Sequence, residues 1–342
     1  MPTREIKDFN IQELEEFLIS CGQRPFHSRQ IFSWLYKKGA RDFNRMSDLP
    51  VGLRQQLKES FSFLALELIQ SFHSSDGTEK FLFTLGDGNL IEAVSIPASG
   101  RVTGCISSQA GCRFACNFCA SGLYGFKRNL TCAEMLDEAL FLKDKSGVKK
   151  LTHIVFMGIG EPLDNYDNLL KAIRIINSKE AFNIASRRIT ISTCGVIPGI
   201  KRLAGEGLQV ELSVSLHAAD DKTRSRLMPA NKIYPLKKLL GALHWYIAKT
   251  GRQVTFEYVL FKDINSSLQN AANLSTILRG LNCKVNLIPA NPVAEKNILA
   301  PEKKEILVFR DYLVRAGTKV TLRKQRGADI QASCGQLRLR YA

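Results

Sequence analysis

Polar and apolar positions follow two rhythms along this chain, and the change from one to the other marks its organisation. Up to about residue 60 the rhythm is helical. Leu14, Phe17 and Leu18 share one face of 11–19, Ile31, Phe32 and Leu35 follow a cap at Ser28, and Leu53 and Leu57 follow Leu49-Pro50. Strand patterns come next, at 63–69, 80–85 and 90–96, the last two joined by the hairpin signal Gly86-Asp87-Gly88-Asn89. From 101 onward short β-rich runs (101–107, 151–157, 187–193, 208–215, 253–260, 283–288, 317–323) alternate with helical ones (131–145, 165–177, 197–206, 235–249, 268–280, 301–316). Repeated strand-helix units specify a parallel sheet, and about six of them curl into a partial barrel. The expected architecture is α/β, a partial (β/α)6 barrel over 99–342 preceded, over 1–98, by a small helical accessory domain and a β-hairpin extension.

One strand breaks its own pattern. Leu90, Glu92, Val94 and Ile96 fall on one face by the two-residue period, so a carboxylate interrupts an apolar row. If that face is buried, desolvation raises the pKa of Glu92 and makes it a poised proton acceptor; if it is exposed, Glu92 is ordinary.

Cys112, Cys116 and Cys119 form a C-x3-C-x2-C group inside a polar, glycine-containing segment. Thiolates select iron-sulfur clusters, zinc or copper(I), and a closed structural site takes four ligands. Three leave one position open. In a cubane 4Fe-4S cluster the open iron can bind a small molecule, whereas zinc would recruit a fourth ligand such as Cys105 or Cys132. The remaining cysteines Cys21, Cys194 and Cys283, with Cys132 if zinc is absent, read as small core residues.

The net charge of +16 points to a polyanionic partner, nucleic acid first. Arg24, Arg29, Lys37, Lys38, Arg41 and Arg45 concentrate part of that charge in the helical N-terminal region. There is no apolar run of about 18 residues or more and no signal-peptide pattern at the start, which places the expected protein in the cytoplasm, off the membrane.

Barrels of this kind gather their chemistry at the C-terminal ends of the strands. The triad follows the first strand, Gly158-Ile159-Gly160-Glu161 the second, Ser192 closes the third, Ser215-Leu216-His217 the fourth, and Asn291 follows the sixth. After the last strand comes a polar tail with a single cysteine, Cys334, between Arg323, Lys324, Arg326 and the C-terminus. A lone tail thiol suits nucleophilic attack better than packing, and the upstream cations either lower its pKa or hold phosphates.

The triad, together with Ile-Ser-Ser-Gln-Ala-Gly before Cys112, Gly-Phe-Lys-Arg-Asn-Leu ending at Leu130, Met157-Gly-Ile-Gly-Glu-Pro-Leu163, Ser213-Val-Ser-Leu-His-Ala218 and Ala332-Ser-Cys-Gly-Gln-Leu337, resembles the RlmN/Cfr family of radical S-adenosylmethionine (SAM) adenosine methyltransferases. The resemblance implies one 4Fe-4S cluster on Cys112, Cys116 and Cys119, two molecules of SAM per turnover, and SAM contacts from Gly160, Glu161, Ser192, Ser215, Leu216, His217 and Asn291. It implies that Cys334 takes a methyl group from one SAM, that a 5′-deoxyadenosyl radical from a second SAM removes a hydrogen from it, and that the carbon radical adds to adenine. Glu92, or a base it positions, then accepts the adenine proton, and Cys105 displaces the product by forming a disulfide with Cys334. The implied substrate is 23S rRNA, with tRNA for some members, and the implied donor a one-electron carrier such as flavodoxin or ferredoxin serving a monomer. Gly160-Glu-Pro-Leu163 and Leu287-Ile-Pro-Ala-Asn-Pro292 look like the carbon 2 branch rather than the carbon 8, antibiotic-resistance branch. The alternatives that remain are carbon 8 methylation and a zinc-stabilised RNA-binding protein without catalysis.

Overall fold

The computed structural model describes residues 4–63, 66–146, 150–293, 295–296 and 299–338. Residues 64 and 65 of the strand expected at 63–69 lie outside them. In the N-terminal unit a short parallel pair, β1 (Arg4–Glu5) and β2 (Phe61–Ser62), ties the two ends of a three-helix layer: α1 (Ile11–Ser20), α2 (His27–Phe32) and α3 (Val51–Ser60). Asn10 begins α1 with a capping box to Glu13, and Leu14, Leu18, Ile31, Phe32, Leu53 and Leu57 bury the face that their spacing defines. Ser28 does not cap. It lies inside α2, fully buried, and donates its hydroxyl to Glu15 of α1, a cross-helix bond that local spacing does not reveal.

The strands β3 (Glu67–His73), β4 (Glu79–Thr84), β5 (Leu90–Ala98) and β6 (Arg101–Cys105) run antiparallel in succession. After a small ladder of β7 (Gln109–Ala110) with β8 (Arg128–Asn129), the chain alternates α4 (Cys132–Lys145), β9 (Leu151–Phe156), α5 (Tyr166–Asn177), β10 (Ile189–Thr193), α6 (Ile197–Leu203), β11 (Glu211–Ser215), α7 (Asp221–Leu227), α8 (Leu236–Thr250), β12 (Val254–Leu260), α9 (Leu268–Leu278), β13 (Cys283–Pro289), α10 (Lys303–Arg315) and β14 (Val320–Leu322). These pair in the order β14-β13-β12-β11-β10-β9-β6-β5-β4-β3. Every neighbour from β6 to β14 is parallel, and β14 and β3 stand at opposite edges, so the mixed α/β sheet is an open barrel whose antiparallel flank is continuous with it.

The expected helices appear within a few residues of their bounds, except that α7 was not anticipated. Its sequence, Asp-Lys-Thr-Arg-Ser-Arg-Leu, has no apolar stripe, and its buried members are Arg224 and Leu227. The N-terminal unit docks on α4: Asp8 accepts from Ala133 N in the first turn at 2.8 Å, and Lys7 pairs with Asp137 in a buried contact. The outward residues Arg24, Arg29, Lys37, Lys38, Arg41 and Arg45 are all exposed. Among the described residues no helix is long and apolar enough to cross a membrane.

Candidate functional site

The segment after β6 is held by backbone bonds to the end of β9, with Ile106 N on Val155 O at 3.0 Å and Ser108 N on Ile159 O at 2.9 Å. The triad loop leaves it at Gly111, whose φ is +77° and where a side-chain carbon would fall 1.8 Å from Gly125 O. Only glycine fits there. The loop then leans on α7 through Asn117 N to Leu227 O at 2.9 Å. Cys112, Cys116 and Cys119 face one cleft at the C-terminal ends of the strands. Burial pushes the Cys112 thiol up to about 12 and those of Cys116 and Cys119 upward as well, with the charges of neighbouring triad members adding to the effect for Cys112 and Cys116. Three thiolates in so desolvated a cleft require compensating cations.

The cleft encloses about 880 Å³ of space between atoms, its open mouth included. Gly160 and Glu161 after β9, Ser192 of β10, Ser215 of β11 and His217 line it as expected, and Cys334 lines it from the tail. Gly158 and Gly160 also serve packing: a side-chain carbon at either would stand 2.6 Å from Ile106 O or Gln109 Cβ, respectively. The Glu161 carboxylate accepts from Leu163 N at 3.0 Å and Cys194 N at 2.7 Å, which joins the β9 loop to the end of β10. His217 sits at φ +58°, and its Nδ1 accepts from Val259 N at 3.0 Å. Burial, with the charge of Arg224 adding, pushes its pKa down to about 3, so the ring is neutral with its proton on Nε2, edge-on to Phe118 at 4.8 Å.

Leu216 and Asn291 are not on the cleft lining. Leu216 is fully buried behind the cleft wall, its N–H on Glu257 O and its carbonyl taken by Arg224 Nε. Asn291 holds the tail, donating to Cys334 O at 2.9 Å and accepting from Gln325 Nε2 at 3.0 Å.

The tail is fastened from four sides. Asp329 accepts from Ser74 Oγ at 2.6 Å and Ser75 N at 3.1 Å in the β3-β4 turn, and Gly327 N donates to Asp76. Ala120 N beside the triad donates to Gly335 O, and Ser121 Oγ to Leu337 O. Gln336 Nε2 reaches Pro292 O, and Arg338 N reaches Glu92 Oε2 on β5. Ala332 and Leu337 close over Cys105, packing it in a small cluster with Val94 and Ile159. Cys105 is thereby buried beneath the segment that carries Cys334, the exposed one of the nine cysteines; all nine are free thiols. Burial, then the facing charges of Cys334 and Glu138, push the Cys105 thiol up.

Glu92 is buried at 1% exposure, which decides between the two environments that the interrupted row left open. Its pKa is pushed up to about 7 by burial, with Lys80 opposing. It lies behind the tail and not on the cleft wall.

Several site residues escaped the sequence reading. Glu257 stands in the middle of the fully buried β12, accepts from Asn286 Nδ2 and Ser213 Oγ, and faces Arg323 at 3.5 Å. Its signal was a carboxylate inside a continuous apolar run, without the alternation that exposed Glu92. Of the three tail cations left undecided, Arg323 lines the cleft, and the charge of Cys334 is the first cause raising its pKa; Arg326 faces Asp76 instead. Arg224, fully buried, binds the carbonyls of Cys194, Ser215 and Leu216 and so fixes the ends of two strands. Cys194 lines the cleft near Cys112 and Cys116 rather than serving only the core. Cys132, the alternative zinc ligand, is not on the cleft lining; it begins α4, buried near Asp8, Lys171 and Glu13.

Residues 106–274 match the family model described as the radical SAM superfamily, and residues 4–62 the one described as the ribosomal RNA large subunit methyltransferase N-terminal domain. A probable dual-specificity RNA methyltransferase RlmN of Geobacillus thermodenitrificans is 45% identical over 340 residues, covering 99% of this chain and 93% of its own length. The corresponding protein of Thermoanaerobacter pseudethanolicus is 42% identical, covering 98% of both chains. The crystal structure of a radical SAM methyltransferase from Sphaerobacter thermophilus superposes with a TM-score of 0.95 at 42% identity, over 98% of this chain and 100% of the other.

Proposed function

The chain belongs to the RlmN family of radical SAM RNA methyltransferases, and from that premise we propose that it methylates carbon 2 of an adenosine in the peptidyl transferase centre of 23S rRNA and of the adenosine 3′ to the anticodon in tRNAs. The observation that carries this reading is the meeting in one cleft of the cysteine triad and the tail nucleophile Cys334.

The donor set fits a 4Fe-4S cluster. Three half-buried thiols face a shared cleft, Cys132 is off its lining, and Cys105 is packed under the tail. Cys112, Cys116 and Cys119 would hold the cluster, with SAM between Gly160, Glu161, Ser192, Ser215 and neutral His217; Leu216 and Asn291 support this wall and the tail. With SAM bound, the cluster would supply one-electron chemistry: primed by a carrier such as flavodoxin or ferredoxin, it would free a radical able to abstract hydrogen from a methyl group, and it would take back the electron that the adenine adduct releases.

The protein's own groups carry the remainder. Cys334 attacks the methyl of a first SAM, forming an S–CH3 bond, with the Arg323 guanidinium beside the thiolate and Glu257 holding that guanidinium. Once the methylene carbon is joined to adenine and the adduct radical has given up one electron, Glu92 accepts the carbon 2 proton and the ring is aromatic again. Cys105 then attacks the Cys334 sulfur; the S–C pair goes to the methylene carbon, which takes a proton to become the product methyl, and the two sulfurs join as a disulfide. The packing of Ala332 and Leu337 on Cys105 supports this partnership. Two SAM molecules are consumed per turnover. The protein works as a cytoplasmic monomer, its accessory unit, 1–98, meeting RNA through the exposed basic residues and the barrel, 99–342, carrying the chemistry.

The test is anaerobic incubation with methyl-labelled SAM, a reductant and rRNA, followed by nucleoside mass spectrometry. Label in 2-methyladenosine is expected; label in 8-methyladenosine, or none, overturns the assignment.

A further inference from the structure

Glu92 and Lys80 are diagonal neighbours across the antiparallel β4-β5 pair, Lys80 opposite Val94 and Glu92 opposite Leu82, so both side chains leave the same face of the sheet. Lys80 Nζ lies 3.1 Å from Glu92 Oε1, and both residues are buried, at 5% and 1% exposure. The ammonium also rests over the Phe72 ring of β3, 4.6 Å from its centroid. The other oxygen, Oε2, takes the backbone N–H of Arg338 from the tail, whose guanidinium is turned away to Glu295 at 2.9 Å. Lys80 and Arg338 are the charged groups that face this carboxylate among the described residues. The first belongs to the sheet and stays with it; the second belongs to the segment that carries Cys334.

Resting on the reading of Glu92 as proton acceptor, we propose that Lys80 is its positioning residue: the buried ammonium holds the carboxylate ionised and aims it, so that Glu92 can take the carbon 2 proton while the tail moves. A stability role alone does not call for such a pair, because apolar replacements of buried ion pairs are often as stable. A carboxylate in this surrounding without its cation keeps its proton and cannot act as a base. Burial already lifts Glu92 to about 7, with Lys80 the foremost opposing influence.

The experiment uses full-length, cluster-loaded Lys80→Met, Lys80→Arg and Glu92→Gln proteins with rRNA, following SAM cleavage to 5′-deoxyadenosine and release of methylated RNA between pH 6 and 9. In Lys80→Met, SAM cleavage should stay within about twofold of the parent. Product release should fall at least tenfold at pH 7, and its acid limb should move upward by one pH unit or more, since removal of the cation raises the pKa of Glu92. Lys80→Arg should restore most of the release. In infrared difference spectra the protonated-carboxyl band lost in Glu92→Gln should persist to higher pH in Lys80→Met than in the parent. An unmoved limb and band in Lys80→Met, with release blocked in Glu92→Gln, overturns the proposal alone; parental release in Glu92→Gln overturns the proton-acceptor reading and the proposal with it. Should Lys80→Met fail to fold, Lys80→Gln, which keeps a donor and loses the charge, carries the same comparison with the same two outcomes.

Discussion

Glu92, Glu138 and Glu257 are three buried carboxyl groups with three different surroundings, and the surroundings assign their work. Glu92 has Lys80 and a tail N–H, Glu257 has Asn286, Ser213 and Arg323, and Glu138 has Ser107 N on one oxygen and, among the described residues, no hydrogen-bond partner on the other. Burial raises Glu138 well above the usual carboxylate range. Below the ordinary glutamate pKa both folded and unfolded chains hold this proton; above it the unfolded chain releases the proton while the folded one keeps it. Stability therefore falls as pH rises from the ordinary value toward the folded one. Glu138→Gln removes this dependence, so its unfolding midpoint should gain on that of the parent between pH 5 and pH 8 in thermal denaturation; parallel midpoints would refute the assignment. At this scale the sequence was uneven. Glu92 showed itself by interrupting an alternating row, whereas in β12 every position is buried, no alternation exists to interrupt, and Glu257 passed unnoticed. Lys80 was hidden for another reason. Its burial depends on Glu92 of β5 and Phe72 of β3, neither of which its own strand pattern encodes.

At the scale of elements, the strands and helices from β6 onward were legible because each buries a face whose period survives in the sequence, while α7 escaped because an arginine and one leucine do its packing. The tail was legible only as a cysteine in polar surroundings. Its course from β14 over Cys105 is set by contacts with the β3-β4 turn, the triad loop and Asn291, all remote in sequence. Asp76 and Asp329 form the fastening at the turn, holding Gly327 N, Ser74 and Ser75. Asp76→Ala combined with Asp329→Ala should leave iron content and melting temperature near the parent, speed amide hydrogen exchange over 327–338 at least tenfold, and slow methylation several-fold. Unchanged exchange in that segment would show that the tail is held by its other contacts.

Across the whole molecule, one sheet carries the antiparallel flank and the parallel barrel together, so Glu92 on β5 and Cys105 on β6 are placed by the same hydrogen-bonded frame that places the triad. The change of rhythm from helical to strand patterns was readable in the sequence. That one hydrogen-bonded frame runs from β3 to β14 was not, because pairing between distant segments leaves no mark in either one. The net charge of +16 suits a polyanionic substrate, yet the account rests on the path of a methyl group between a tail and a barrel strand. The most direct measurement is mass spectrometry of Cys105→Ala protein after anaerobic turnover with SAM and rRNA. The account predicts the peptide containing Cys334 joined through one methylene carbon to adenosine, with little free methylated RNA; unlinked peptide accompanied by parental yields of methylated RNA would contradict it.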